Sequence, residues 1–212
     1  MNIKISETFN DDSVNRLTNM LLIVKGANEG IGIQRMGLKS YHSVFERLIR
    51  WGLDNVGNLK EYNPEAFWNS ENAEDDNLSP LRMDALRIEN NTAYILDAKF
   101  YQTTKPGAAD INKQITYGEN LYTKHSELVK KGPIYSESNI FNYFFVPHLF
   151  SKDEDTMISF SGFKSRSGWR KGTLSYESVY LLNINLTTLL EKWNKNDRDT
   201  VVNAFRDAIS SI

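Results

Sequence analysis

Asp84, Asp97 and Lys99 are the residues of this sequence whose types and spacing suit chemistry. Asp97 and Lys99 stand two apart in Ile95-Leu96-Asp97-Ala98-Lys99-Phe100-Tyr101, a run otherwise made of strand-forming, core-like side chains. Charge in such a setting is costly unless it is paired or holds a metal. Side chains alternate faces along a strand, so the acid and the lysine share one face, with Ile95, while Leu96, Ala98 and Phe100 share the other. A second strand-like run, Leu81 to Ile88, precedes it, separated by Glu89-Asn90-Asn91. Asn tolerates positive φ, so Asn90-Asn91 suits the left-handed backbone of a two-residue hairpin turn. Glu89 then pairs with Thr92, and stepping outward sets Asp84 opposite Asp97 and Arg82 opposite Lys99. Opposed side chains lie roughly 4.5–5.5 Å apart at Cβ.

Two carboxylates so placed repel, and a divalent cation between them removes the repulsion. Magnesium takes one or two protein carboxylates and completes its shell with water and phosphate oxygens. A lysine one step along can orient or deprotonate an attacking water, or stabilise the negative charge that develops. Asp, Asp and Lys on one face are thus a minimum set for metal-assisted phosphodiester hydrolysis. An Asp-x-Lys alone is equally an ion pair on an exposed strand face. The second Asp at matched register and the apolar flanks tip the reading toward a reaction centre.

Other chemistries are excluded by composition. There is no cysteine, which removes disulfides, thiolate zinc sites and cysteine nucleophiles. The absence of cysteine also fits a reducing compartment, so a cytoplasmic location is expected. The histidines, His42, His125 and His148, are scattered, so a metal site must be built from carboxylates, which points to magnesium, or manganese in its place. No apolar run approaches the roughly 18 residues of a membrane span, and the polar, acidic opening does not read as a signal peptide. The net charge of −2 gives no global nucleic-acid signal, so a DNA binder must concentrate its positive charge locally. Charge is uneven: Asn69 to Asn77 is an acidic loop, and Gly162 to Thr173 carries Lys164, Arg166, Arg170 and Lys171 around Trp169.

The elements that must position the three residues follow from periodicity. Val44, Phe45, Leu48, Ile49 and Leu53 have helical spacing, with Ser40 or Ser43 near the cap. The two strand-like runs come next. Gly107 to Gly132 reads as a helix with Ile111, Ile115, Leu121, Tyr122 and Leu128 as its apolar positions, stopped at Gly132-Pro133. Asn139 to Phe150, Thr156 to Phe163 and Ser178 to Leu186 are strand candidates, and Asn196 to Ile212 is an amphipathic helix. Strand pairs interleaved with helices predict an α/β fold with a mixed sheet. Residues 36–212 read as one domain, and residues 1–35 as a segment without an assigned structure; the Gly-rich Gly26 to Gly37 lacks the Gly-Lys-Ser/Thr of a nucleotide-binding loop.

Ser79 to Tyr101 resembles the core of the PD-(D/E)xK nuclease superfamily, in which an acid on one strand is followed across a turn by Asp/Glu-x-Lys on the next. Asp84 matches the first acid, Asp97 the second and Lys99 the lysine. Gly107 to Leu121 resembles the helix that follows this core in RecB-like nucleases and in McrBC-type nuclease subunits, whose Gln and Tyr are matched by Gln114 and Tyr117. Two departures stand: the Gln-x-x-Tyr spacing is one shorter than the commonest RecB-like form, and Pro80 lies four residues before Asp84 instead of next to it. Over about residues 40–125 the chain looks most like LlaJI-type restriction endonucleases.

The resemblance implies a restriction-endonuclease-like core and a magnesium-dependent endonuclease acting on double-stranded DNA, either a type II restriction endonuclease or its cleavage subunit. Asp84 and Asp97 are the expected metal ligands. Glu46, which matches by order and type the Glu that many members carry on the preceding helix, is expected to assist them; it is otherwise a solvated partner of Arg47 or Arg50. Lys99 is expected to act on the water. Gln114 can hold the lysine or a phosphate, or be a plain exposed helix residue. One such centre cuts one strand, so double-strand cleavage needs a homodimer or two sequential nicks. The same resemblance suggests a nucleotide-driven motor subunit as partner. For DNA contact the candidates are Lys164, Arg166, Trp169, Arg170 and Lys171, with Tyr117 from the helix; a basic hairpin loop with no such role fits the first five equally well. Two other functions use the same fold: a DNA-binding or assembly module without cleavage, and a metal enzyme acting on RNA or a small phosphate ester.

Overall fold

A computed structural model describes residues 41–64, 81–100, 105–124, 139–148, 156–166 and 174–212. The segment 1–35, the acidic loop, the Gly132-Pro133 stop, Leu128, and Trp169, Arg170 and Lys171 lie outside the described residues. Helix α1 (Tyr41–Leu53) leads into a single 3-10 turn, Leu59–Tyr62, and then the hairpin β1 (Ala85–Glu89) and β2 (Thr92–Ala98). Helix α2 (Ala108–Lys124) crosses to β3 (Ile140–His148), followed by β4 (Ile158–Arg166), β5 (Ser178–Asn185), α3 (Leu186–Asn194) and α4 (Arg198–Ser210). The α/β fold expected from the sequence is therefore present: among the described residues, a mixed sheet of five strands is flanked by four helices.

The strand order is β1-β2-β3-β5-β4. β1 and β2 are antiparallel, β2, β3 and β5 run parallel, and β4 returns antiparallel on β5. The hairpin register is the predicted one, with Glu89 on Thr92 and Ala85 on Leu96. Its turn residues carry φ of 50° at Asn90 and 60° at Asn91, the left-handed pair that a primed two-residue turn demands. The outer edge of β1 is covered rather than open. Asn55 exchanges two hydrogen bonds of 2.8 Å with the Ile88 backbone, and Leu86 N–H donates to Asp54 Oδ2 at 3.3 Å. A side chain thus stands in for a missing strand, which blunts an edge prone to pairing with other chains.

The alternation in β2 divides the core. Leu96 and Ala98 face a cluster under α1, α3 and α4 that includes Phe45, Leu48, Phe145, Leu182 and Phe205, with Phe100 packed at its margin. Phe205 meets Tyr94 and Tyr143 edge-on at 5.4 and 5.7 Å between centroids. Ala93 and Ile95 face the other cluster with Ile115, Tyr117 and Leu121 of α2, Met83 and Phe144. α2 approaches closely at Gly118, where an added Cβ would meet Tyr176 Cβ at 2.5 Å. The helix periodicity of α1 is realised, with Phe45, Leu48, Ile49 and Leu53 all buried. Among the described residues no helix is long and apolar enough to cross a membrane.

Candidate active site

β1 begins at Ala85, four residues after the start of the strand-like run at Leu81, and Asp84 occupies a bend just before it. The bend is anchored on several sides. Met83 N–H donates to Asn63 Oδ1 at 3.0 Å, the Tyr117 hydroxyl donates to Arg82 O, and Arg50 Nε donates to Asp84 O at 2.7 Å. Released from the ladder, the Asp84 side chain turns to β2, where its Oδ2 accepts from Ala98 N–H at 2.8 Å. Asp84 thus reaches the residue after Asp97 through its side chain and outside the ladder, close enough for the charge of Asp97 to act on it.

Asp97 lies at the end of β2 on the α2 face and is 2% exposed. Lys99 follows the last strand residue, and its backbone N–H donates to Phe145 O at 2.8 Å, so the chain still tracks β3. Its ammonium returns to 2.6 Å from Asp97 Oδ2 and reaches Asp110 Oδ1 at 3.2 Å. The Phe144 ring, one strand over and paired in register with Asp97, lies 5.7 Å from the same ammonium.

The electrostatics follow from burial and neighbours. Burial raises the Asp84 carboxyl to about 7, with the charge of Asp97 and then that of Glu46 adding to it. Burial also raises Asp97, against the pull of Lys99. Burial alone would lower Lys99, but the carboxylates of Asp97 and Asp110 outweigh it and hold the lysine above its usual range. In the metal-free site the two carboxylates thus favour the charged form of Lys99, which suits it to orienting a water or stabilising charge.

Two hard carboxylates whose charge is disfavoured chiefly by burial are a fitting donor set for magnesium or manganese, whose charge favours their ionised form. Among the described residues no group of three or more Asp, Glu, His or Cys stands ready to hold a metal. Glu46 rides on α1, which packs on the sheet face opposite Asp97, and its charge acts on Asp84 at the sheet's end.

The helix residues matched by resemblance point inward. Gln114 is 1% exposed and its Nε2 donates to Ile95 O at 3.1 Å, so it holds α2 to β2 instead of touching the lysine. Its Oε1 is buried with no hydrogen-bond partner among the described residues. Tyr117 is fully buried and offers no surface to DNA; its hydroxyl ties α2 to the Arg82 peptide. This corrects its expected role as a DNA contact, because the apolar stripe of α2 runs through position 117. Asp110 was missed by sequence reasoning. Its signal was an acid in the first helical turn after Asp-x-Lys, where it also accepts from Gly107 N–H at 3.2 Å, but nothing local shows that this turn abuts Lys99.

Lys164 and Arg166 are exposed on β4, at the opposite edge of the sheet from the acid pair. Three strand spacings separate β4 from β2, roughly 14 Å. The Lys164 ammonium lies 5.0 Å from the Tyr180 ring, which packs against the cluster on the face opposite Asp97. The structure does not bring these two residues to the carboxylates. A bulge between Phe160 and Lys164, with Gly162 at φ 80°, instead exposes Phe163, whose ring carries the Lys105 ammonium at 3.2 Å.

Among curated proteins none matches the chain. The family described as LlaJI restriction endonuclease matches residues 1–162, a span that holds α1, the β1–β2 hairpin, α2 and both candidate acids and ends within β4. With that span covering most of its 212 residues, the chain belongs to the LlaJI restriction endonuclease family.

Proposed function

We propose that this protein is the cleaving component of a restriction system and hydrolyses phosphodiester bonds of double-stranded DNA with a bound divalent metal. The observation that carries the reading is the meeting of Asp84, Asp97 and Lys99 at the open end of the β1–β2 hairpin, in a chain of restriction-endonuclease family. Asp84 and Asp97 would hold magnesium, which supplies a Lewis acid for the phosphate and a more acidic water when bound. The rest is done by the chain. Ala98 N–H holds one oxygen of Asp84 and leaves the other to bind. Asp110 and Asp97 hold the Lys99 ammonium in place, where it orients the attacking water and stabilises charge on the phosphate oxygens. Gln114 and Tyr117 position the two acid-bearing segments from behind.

The test is cleavage of duplex DNA by the purified chain with magnesium, with manganese as the substitute metal. Asp97→Ala and Lys99→Ala should lose cutting while their circular dichroism stays native. Wild-type-level cutting by both variants would overturn the assignment. Parallel reactions on RNA and on nucleotide monoesters test the substrate class, with DNA the one expected to be cut. A motor subunit as partner and a homodimer as the cutting form belong to the same proposal and are read from cleavage with and without nucleotide and from the mass in solution.

A further inference from the structure

A chain of net charge −2 that acts on DNA must gather cations locally, and the described residues hold one place where it does so beside the acids. A groove of about 810 Å³ runs between the end of α1, the 3-10 turn Leu59–Tyr62 and the Arg82–Met83 segment. Arg50, Lys60, Arg82 and Arg198 line it, with the half-buried Trp51. One carboxylate, Asp54, also lines it; it accepts from the backbone N–H groups of Val56 and Leu86 and offsets part of the charge of Arg50 and Arg198, leaving Lys60 and Arg82. The groove adjoins the Asp84 segment, since Arg50 donates to Asp84 O and Arg82 lies two residues before Asp84. Lys60 and Arg82 are exposed and make no side-chain hydrogen bond or ion pair among the described residues. On the far edge of the sheet, by contrast, Lys105 and Lys164 already rest on the rings of Phe163 and Tyr180.

We propose that this groove binds the phosphodiester backbone of the DNA flanking the bond to be cut, so that DNA enters over the covered edge of β1. The inference rests on the nuclease reading for its ligand. Its chemistry is that of backbone contact: guanidinium and ammonium groups neutralise phosphates and fix the register of the strand without reading bases. The groove volume lies within the roughly 300–1,000 Å³ typical of ligand sites, enough for more than one sugar-phosphate unit.

The experiment compares the full chain with the Lys60→Ala, Arg82→Ala double variant. Binding of a fluorescent DNA duplex is followed by anisotropy across a salt series, with calcium in place of magnesium to suppress cutting. Each lost phosphate contact lowers the slope of log affinity against log salt by about 0.9. The double variant should therefore bind more weakly with a slope shallower by about 2, and melt at the wild-type temperature, since neither side chain is bonded. Unchanged slope and affinity overturn the groove, as does a wild-type chain that binds no DNA. Cutting is scored separately. Groove-dependent binding supports the groove whether or not the chain cuts by itself; a wild type that cuts while the double variant binds as well as wild type overturns the groove and leaves the nuclease reading.

Discussion

Lys99 Nζ lies 2.6 Å from Oδ2 of Asp97, inside a pocket where Asp97 is 2% exposed. Removing the lysine leaves a buried carboxylate without its cation, a change that typically costs about 3–5 kcal/mol. Lys99→Met is expected to unfold in urea with a loss approaching that figure at pH 8. The loss should shrink as pH falls, because a protonated Asp97 needs no partner. Cleavage under single-turnover conditions should fall by about 10² or more, the scale of a lost catalytic group. A Met variant as stable as wild type at pH 8 would mean that the pair does not hold the site.

Asp84 carries the clearest pH signature. Its folded pKa of about 7 lies above the ordinary 3.8. Between roughly these values the folded metal-free protein keeps a proton that the unfolded chain has lost, so stability falls as pH rises through the window and levels off above it. Asp84→Asn keeps an oxygen for Ala98 N–H and has no charge to bury. The expected outcome is a variant that melts higher than metal-free wild type at pH 8, with the difference vanishing near pH 4. It should also fail to cut DNA. Differential scanning calorimetry on both proteins across this range is the measurement, and parallel profiles would refute the raised pKa.

Saturating magnesium should reverse that penalty in the wild type. A ligand that binds only the folded state at 100 times its Kd stabilises by about 2.7 kcal/mol. The melting temperature of the wild type should rise with magnesium at pH 8, and that of Asp84→Asn should rise far less. Equal shifts in the two proteins would place the ion elsewhere.

Tyr117→Phe removes the hydroxyl that donates to Arg82 O. An acceptor left without its donor costs about 1–3 kcal/mol, and the expected loss in urea unfolding lies in that range. The Arg82 peptide is two residues from Asp84, so the cutting rate should drop while DNA affinity stays the same. A wild-type rate would show that the bend is held without the tyrosine.

Gly118→Ala tests the packing that brings α2, and with it Asp110 and Gln114, to the site. The new Cβ would meet Tyr176 Cβ at 2.5 Å, and overpacking of this kind costs about 1–3 kcal/mol. Gly57→Ala, whose Cβ meets nothing within 4 Å, is the control and should change stability by less than about 0.5 kcal/mol. Equal melting temperatures for the two variants would contradict the close approach.

The hairpin was legible from neighbouring residues alone. Asn90-Asn91 specifies the turn, the turn sets the register, and alternation then assigns Asp97 and Ile95 to one face and Leu96 and Ala98 to the other. These are short-range consequences of backbone sterics and side-chain period, which need no knowledge of the rest of the chain. Helix periodicity likewise marked the buried face of α1. What the sequence could not decide is which layer each helix joins and what its polar residues then meet. Only the docking of α2 brings Asp110 to Lys99 and buries Gln114 and Tyr117, and only that of α1 brings the charge of Glu46 to Asp84. The groove of Arg50, Lys60, Arg82 and Arg198 joins residues spread over almost 150 positions. Such meetings depend on packing across the whole core, where each contact is set by the volumes and faces of elements far apart in the chain.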